Sequence, residues 1–293
     1  MESFHINALL AAGVYSVSAV FSKAALMRGC GIMRLSFIMN LVFAGVFVLA
    51  LSWEVEAFPL EQIHLPLLTG LFFFIAHVFT FAAIRMGDVS LQTPVMGTKA
   101  IFVALIAVLF GLQEVTWSLG VAAVLAALAV GLLGFSGGKA RRVGLTIGLS
   151  LCSALFFAAS DQMVGVFGEA FGKRSFLIIT MLCNAALSFT LIPFFNGRLT
   201  EISRSALPLV LLGSLGMGLQ ALLLNYTIAA SGEVVAINIL YSARGFFSVL
   251  IGLGLALFFA SKLERVSTLV GSLRMLGALL ISTAIVIVLT NSA

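Results

Sequence analysis

The sequence predicts an all-α, polytopic membrane protein: ten transmembrane helices arranged as two inverted five-helix repeats. Three observations predict it. The 293-residue chain is 61% hydrophobic and only 9% charged, against about 25% charged residues in an ordinary soluble domain. Ten apolar segments are long enough to cross a bilayer, which takes about 20 residues of helix. A stretch in the first half, 87–102, also aligns with one in the second, 232–247, at a constant offset of 145.

The ten segments are 5–27, 33–53, 65–86, 89–112 and 115–135 in the first half, and 143–167, 175–195, 206–229, 233–260 and 266–290 in the second. They predict a first repeat over 1–136 and a second over 137–293. Short connections such as "SGGKARR" and "NGRLTEISRS" hold most of the charge. Trp53 and Trp117 fall at segment ends, where indole rings anchor at the membrane interface. A transmembrane β-barrel would need ten-residue stretches of alternating polarity, and none is present. The start "MESFHINALL" has no Lys or Arg before its apolar run, so no cleaved signal peptide is expected.

Composition also excludes functions. The net charge of +5 comes from bases scattered in short loops, so no nucleic acid is an expected partner. Three cysteines, Cys30, Cys152 and Cys183, are an odd number without paired spacing. They predict neither a disulfide framework nor a metal site. No cofactor is called for.

The internal alignment sets "GDVSLQTPVMGTKAIF" (87–102) on "GEVVAINILYSARGFF" (232–247). Gly87 meets Gly232, Asp88 meets Glu233, and Lys99 meets Arg244. The first helices of the halves share only Ser22 with Ser160, in "FSKAAL" and "ASDQMV". An odd number of helices per half makes the second half enter the membrane from the opposite side. Inverted repeats of this kind are typical of secondary transporters, which bind substrate near the midplane.

The polar residues inside the segments carry the functional reading. Lys99 lies about 15 Å along its segment at 1.5 Å per residue, near the centre of a ~30 Å hydrocarbon core. A Lys there costs roughly 2.5–3.5 kcal/mol on insertion scales, and such residues face a bundle interior or an aqueous cavity. Arg244 is placed alike. Asp88 and Glu233 lie about three turns away, at helix starts where a carboxylate complements the dipole. Asp161, late in helix six, is the nearest intramembrane acid. Two buried bases without an obvious protein anion point to an anionic substrate; the alternative is an internal ion pair.

Gln92 and Asn238 precede the two bases by about two turns. Tyr241 stands three residues before Arg244. His77, central in helix three, has the only side chain type whose unperturbed pKa, about 6.5, lies near neutrality. Lys99, Arg244, Gln92, Asn238, Tyr241 and His77 are therefore the candidate substrate-binding residues. For His77 a proton-coupling role is the alternative, and a hydrogen-bonded core histidine is the favoured reading. Asn40, Asn184, Asn225 and Gln220 read as polar contacts between helices. The stripe Ala123, Ala127 and Gly131 predicts close packing of helix five, within the chain or in a homodimer.

The segment "FGLQEVTWSLGVAAVLAALAVGLL" (110–133) and its counterpart "LERVSTLVGSLRMLGALLIS" (263–282), with the paired halves, resemble the drug/metabolite transporter superfamily. The likeness is to its ten-helix proteins built from two EamA-type repeats. Glu114 and Glu264 match the family's glutamate after helices four and nine, while the glycine that usually precedes it is missing from both halves. The resemblance implies a multi-pass protein of a bacterial inner membrane that moves a small metabolite, often outward. Phosphate translocators of the same superfamily hold phosphate with bases on helices four and nine, using a Lys-Arg pair on helix nine. Ala243 precedes Arg244 here, and a carboxylate would need less positive charge.

The expectation is thus a secondary-active transporter of a small organic anion or zwitterion, an exporter or exchanger. It would work by alternating access in the lipid bilayer, without nucleotide hydrolysis. A neutral-metabolite or amino-acid exporter with structural bases is the alternative within transport. An intramembrane enzyme would need a nucleophile paired with a base, and no such pair is visible; the expectation is not an enzyme. Loop charge predicts orientation. The connections on the side opposite the N-terminus carry eleven Lys and Arg, and those on the N-terminal side carry two, Lys173 and Arg174. By retention of positive charge in the cytoplasm, both termini should face away from it.

Overall fold

The computed structural model describes residues 3–54, 59–86, 95–133, 143–258 and 268–291. Gln92, Gly87, Asp88 and Glu264, singled out above, lie outside the described residues.

The chain is an all-helical, multi-pass membrane protein, and the described residues contain no strand. Helices are what an apolar chain must form in lipid, because every backbone N–H and C=O has to be satisfied within the segment. The first half contributes α1 (Ser3–Met27), α2 (Ile32–Leu51), α3 (His64–Met86), α4 (Lys99–Leu109) and α5 (Trp117–Leu133). The second contributes α6 (Val143–Phe171), α7 (Lys173–Ser188), α8 (Leu207–Ser231), α9 (Val234–Tyr241), α10 (Arg244–Phe258) and α11 (Thr268–Asn291). Among the described residues eight helical stretches are long and apolar enough to cross a membrane, with α9 and the start of α10 counted as one; α4 and α5 are shorter. Trp53 and Trp117 are exposed at helix ends, as expected of interface anchors.

Two segments differ from the expected continuous helices. The segment at 233–260 is interrupted at Ser242–Ala243, and the one at 89–112 is interrupted at Gly97–Thr98. Lys99 and Arg244 are therefore the first residues of α4 and α10, not mid-helix residues. The interruptions are 145 residues apart, the offset of the internal alignment, and they share their hydrogen bonds. Thr98 N–H donates to the Val95 carbonyl and Ala243 N–H to the Leu240 carbonyl, both at 3.0 Å. Ala100 N–H donates to Gly97 at 3.4 Å and Gly245 N–H to Ser242 at 3.2 Å. These span three residues instead of four, a local 3₁₀ tightening of the kind that marks a hinge or strain. Four-residue spacing resumes at Phe102 to Thr98 and at Phe247 to Ala243.

The packing pairs α1 with α8 and α3 with α6, and α5 with α11. Helix α2 lies against α7 and α8, while α7 lies against α2 and α3. At the centre α4 touches α6 and α9, and α9 and α10 touch α1. Small residues set the closest approaches, as in many membrane bundles. A Cβ on Gly165 of α6 would collide with the Val234 side chain at the start of α9, so this glycine lets α9 lie on α6. The Ala123 and Ala127 face of α5 is buried, and α5 uses its contact with α11 inside the chain. Gly131 has open space around its Cβ position.

Candidate functional site

The first turns of α4 and α10 carry Lys99 and Arg244 into the centre of the bundle, where α1, α6, α8 and α9 converge. Lys99 is 8% exposed and Asp161 of α6 is 2% exposed. The Lys99 Nζ lies 2.6 Å from Asp161 Oδ2. Asn238 of α9 donates from Nδ2 to the same Oδ2 at 2.8 Å, and also to the Val234 carbonyl at 3.0 Å. The inference that both buried bases lack a protein anion is thus corrected for Lys99. Asp161 is its anion, brought across by the contact of α4 with α6. One carboxylate oxygen accepts two donors from two further helices, the arrangement that makes a buried ion pair tolerable.

Arg244 is placed differently. Its guanidinium Cζ stands 4.7 Å from the Tyr241 ring centroid and 4.9 Å from that of Tyr15 on α1. The two rings meet edge to face at 6.0 Å. Aromatic faces attract a planar cation through their quadrupole. Among the described residues no carboxylate lies within ion-pair distance of this guanidinium, the Lys99–Asp161 pair being separate from it. Arg244 is half-buried. Its backbone is tied down, since Ser16 Oγ donates to the Arg244 carbonyl at 2.9 Å, and Ser248 Oγ lies 3.2 Å from Ser16 Oγ. Tyr241 is held by its hydroxyl, which donates to Gln220 Oε1 of α8 at 2.7 Å.

The cluster holds two cations and one carboxylate, a net charge of +1 in its charged forms. Both cations sit at helix starts, where the dipole already supplies positive potential. A basic side chain there costs stability and strengthens the pull on an anion.

His77 does not join the cations. Its Nδ1 bonds Asn40 Oδ1 at 3.0 Å, and rings of Phe43, Phe73, Phe81 and Phe157 surround it. Phe157 separates it from the ion pair, with its centroid 5.6 Å from Lys99 Nζ. Glu233 makes no side-chain bond to its own helix start. Its carboxylate instead accepts from Gln113 Nε2 at 2.8 Å, so it ties the connection between α4 and α5 to the start of α9.

Of the expected binding residues, Lys99, Arg244, Asn238 and Tyr241 come together, His77 stands one ring away, and Gln92 lies outside the described residues. The sequence names Asp161 only as the nearest intramembrane acid and Gln220 only as a contact between helices, and it singles out neither Tyr15 nor Phe157. For Asp161 a signal existed: it is an acid in a long apolar segment, as exceptional there as the bases. Tyr15 and Phe157 carry no such signal among many aromatic residues.

No family model matches the chain, and no curated protein matches it. One solved structure, described only as "Crystal structure of protein", superposes on it with a TM-score of 0.72 at 16% sequence identity. The match covers 96% of this chain and 98% of the other. At that identity the likeness is one of fold alone.

Proposed function

We propose that the protein is a secondary-active transporter of a small organic anion or zwitterion, built as ten spans in two inverted repeats over 1–136 and 137–293. The observation that carries the reading is Arg244. It is a half-buried guanidinium at a helix interruption, set against two tyrosine rings and within ion-pair distance of no carboxylate among the described residues. A carboxylate or similar anion would complete it with two parallel hydrogen bonds.

The repeat reading draws support from three correspondences. Three backbone bonds around Lys99, from Thr98, Ala100 and Phe102, match those from Ala243, Gly245 and Phe247 around Arg244. Gly31 and Gly172 both precede their half's second helix with positive φ, 81° and 96°. Exchanging the halves also maps the packing of α1 on α8 onto that of α6 on α3. Interrupted helices at the repeat interface are where secondary transporters bind substrate. The interruptions before α4 and α10 would let each half rock about the site.

A second reading has its own observation. The Lys99–Asp161 pair leaves only one base for a substrate, which favours a zwitterion over a multiply charged anion. In that case the carboxylate sits on Arg244 and the ammonium lies near Asp161. Flux into liposomes, measured for monocarboxylates, amino acids, phosphate esters and neutral metabolites, tests both readings. Arg244→Ala should abolish uptake of whichever class is carried. Transport of neutral metabolites alone, unchanged in Arg244→Ala, would refute the anion site.

A further inference from the structure

A buried carboxylate bonded to a lysine at the centre of a membrane site needs a reason, because an apolar pair of the same shape is often as stable or more so. The bonding around Asp161 supplies one. Asn238 gives its N–H to Asp161, yet its own Oδ1 is buried with no hydrogen-bond partner among the described residues. An orphaned buried acceptor is costly. It lies on the same amide that already touches the carboxylate. A neutral carboxylic acid would suit this amide better than the anion does. The acid O–H would donate to Asn238 Oδ1 while Asn238 Nδ2 continued to donate to the acid, and both ends of the amide would be satisfied.

We propose that Asp161 is a proton-binding site that competes with the transported anion for Lys99. This rests on the transport reading and names its coupling ion. When one proton adds to the carboxylate, the ion pair with Lys99 opens and the acid closes onto the Asn238 amide. The freed ammonium then joins Arg244 in holding the anion. No other bond is made or broken. Protonation alone leaves two uncompensated cations, and anion binding without it leaves Lys99 occupied. Each event therefore favours the other, as linkage requires, and proton and anion travel together.

The groups facing Asp161 fit this assignment. Helix α4 presents Lys99, α9 presents Asn238 and Tyr241, and α10 presents Arg244. Helix α8 contributes the neutral Gln220, already bonded to Tyr241, while its Tyr226 lies against Lys173 instead. From α3, His77 is shielded behind Phe157 and bonded to Asn40. Lys173 and Arg174 of α7 lie beyond the end of α6, which is about 15 Å from Asp161 at 1.5 Å per residue. The nearest cation is the lysine that the proton would displace.

The chain has two aspartates, Asp88 and Asp161, so the proton can be observed directly. Purified protein carrying ¹³C-labelled aspartate, in the Asp88→Asn background, should show an isotope-shifted protonated-carboxyl band in infrared difference spectra on acidification. Asp161→Asn should remove it, and Lys99→Met/Asp161→Asn serves as the control if the single variant does not fold. Saturating acetate, lactate or inorganic phosphate should move the midpoint upward by about one pH unit for tenfold linkage. A band absent over roughly pH 4–9, or a midpoint indifferent to all three anions, overturns the proposal. Absence of flux for every class in liposomes, with the band still titrating, instead refutes the transport reading.

Discussion

Lys99→Met is the sharpest test of the site, because sequence and structure predict opposite results for it. Taken alone, the lysine costs insertion energy, and its removal should leave folding intact or improve it. The structure reverses this. With Lys99 gone, Asp161 stays 2% exposed with one remaining side-chain donor, Asn238 at 2.8 Å. Exposed ion pairs are worth only about 0.2–1 kcal/mol. This pair is buried and short, at 2.6 Å, so the buried case applies. Removing one partner of such a pair costs about 3–5 kcal/mol, while replacing both by apolar groups is close to neutral. The Asn238 bond does not make good that loss, since interhelical hydrogen bonds in membranes average only about 0.6 kcal/mol. Lys99→Met and Asp161→Asn should each lower the folding equilibrium by roughly two to four orders of magnitude. The double variant should recover most of it. The assay is reversible unfolding in mixed micelles of the four proteins of the cycle. Additive effects in the double variant, or a stable Lys99→Met, would refute the ion-pair account.

Four further outcomes follow from the same geometry. Arg244→Lys keeps the charge but gives up the guanidinium's place over the Tyr15 and Tyr241 rings, about 0.5–2 kcal/mol; substrate affinity in a binding assay should fall about two- to thirtyfold. His77→Gln should keep the wild-type pH profile of anion binding, because the ring is bonded to Asn40 and screened by Phe157; a flattened profile in fluorescence titrations would show otherwise. Gly70→Ala should lower the melting temperature, since its Cβ would lie 2.5 Å from the Thr180 carbonyl and 2.8 Å from Cys183 Cβ, an overpacking worth about 1–3 kcal/mol. A reporter active only in the cytoplasm, fused after Ala293, should stay silent if the eleven-to-two excess of basic residues sets the orientation; strong activity would place both termini inside.

Much of this protein is written in its composition. A chain with so few charges has to lie in lipid, and lipid leaves helices as the way to satisfy the backbone. The offset pairing of Lys99 with Arg244 is likewise legible, because two bases in register within apolar segments are hard to produce by chance. What those bases touch was not legible. A segment that is apolar all round shows no polar face, so its pattern does not say which side meets which neighbour. Asp161 lies in a different half from Lys99, and only the packing of α4 on α6 brings its carboxylate to the ammonium. The interruptions at Gly97–Thr98 and Ser242–Ala243 escaped for a related reason: the bonding change spans a single turn, in residues that read as ordinary membrane helix. Tertiary contacts decided the chemistry at the centre, where one base is neutralised by Asp161 and the other is left facing two tyrosines, because a charge buried in lipid takes its partner from whatever helix lies beside it.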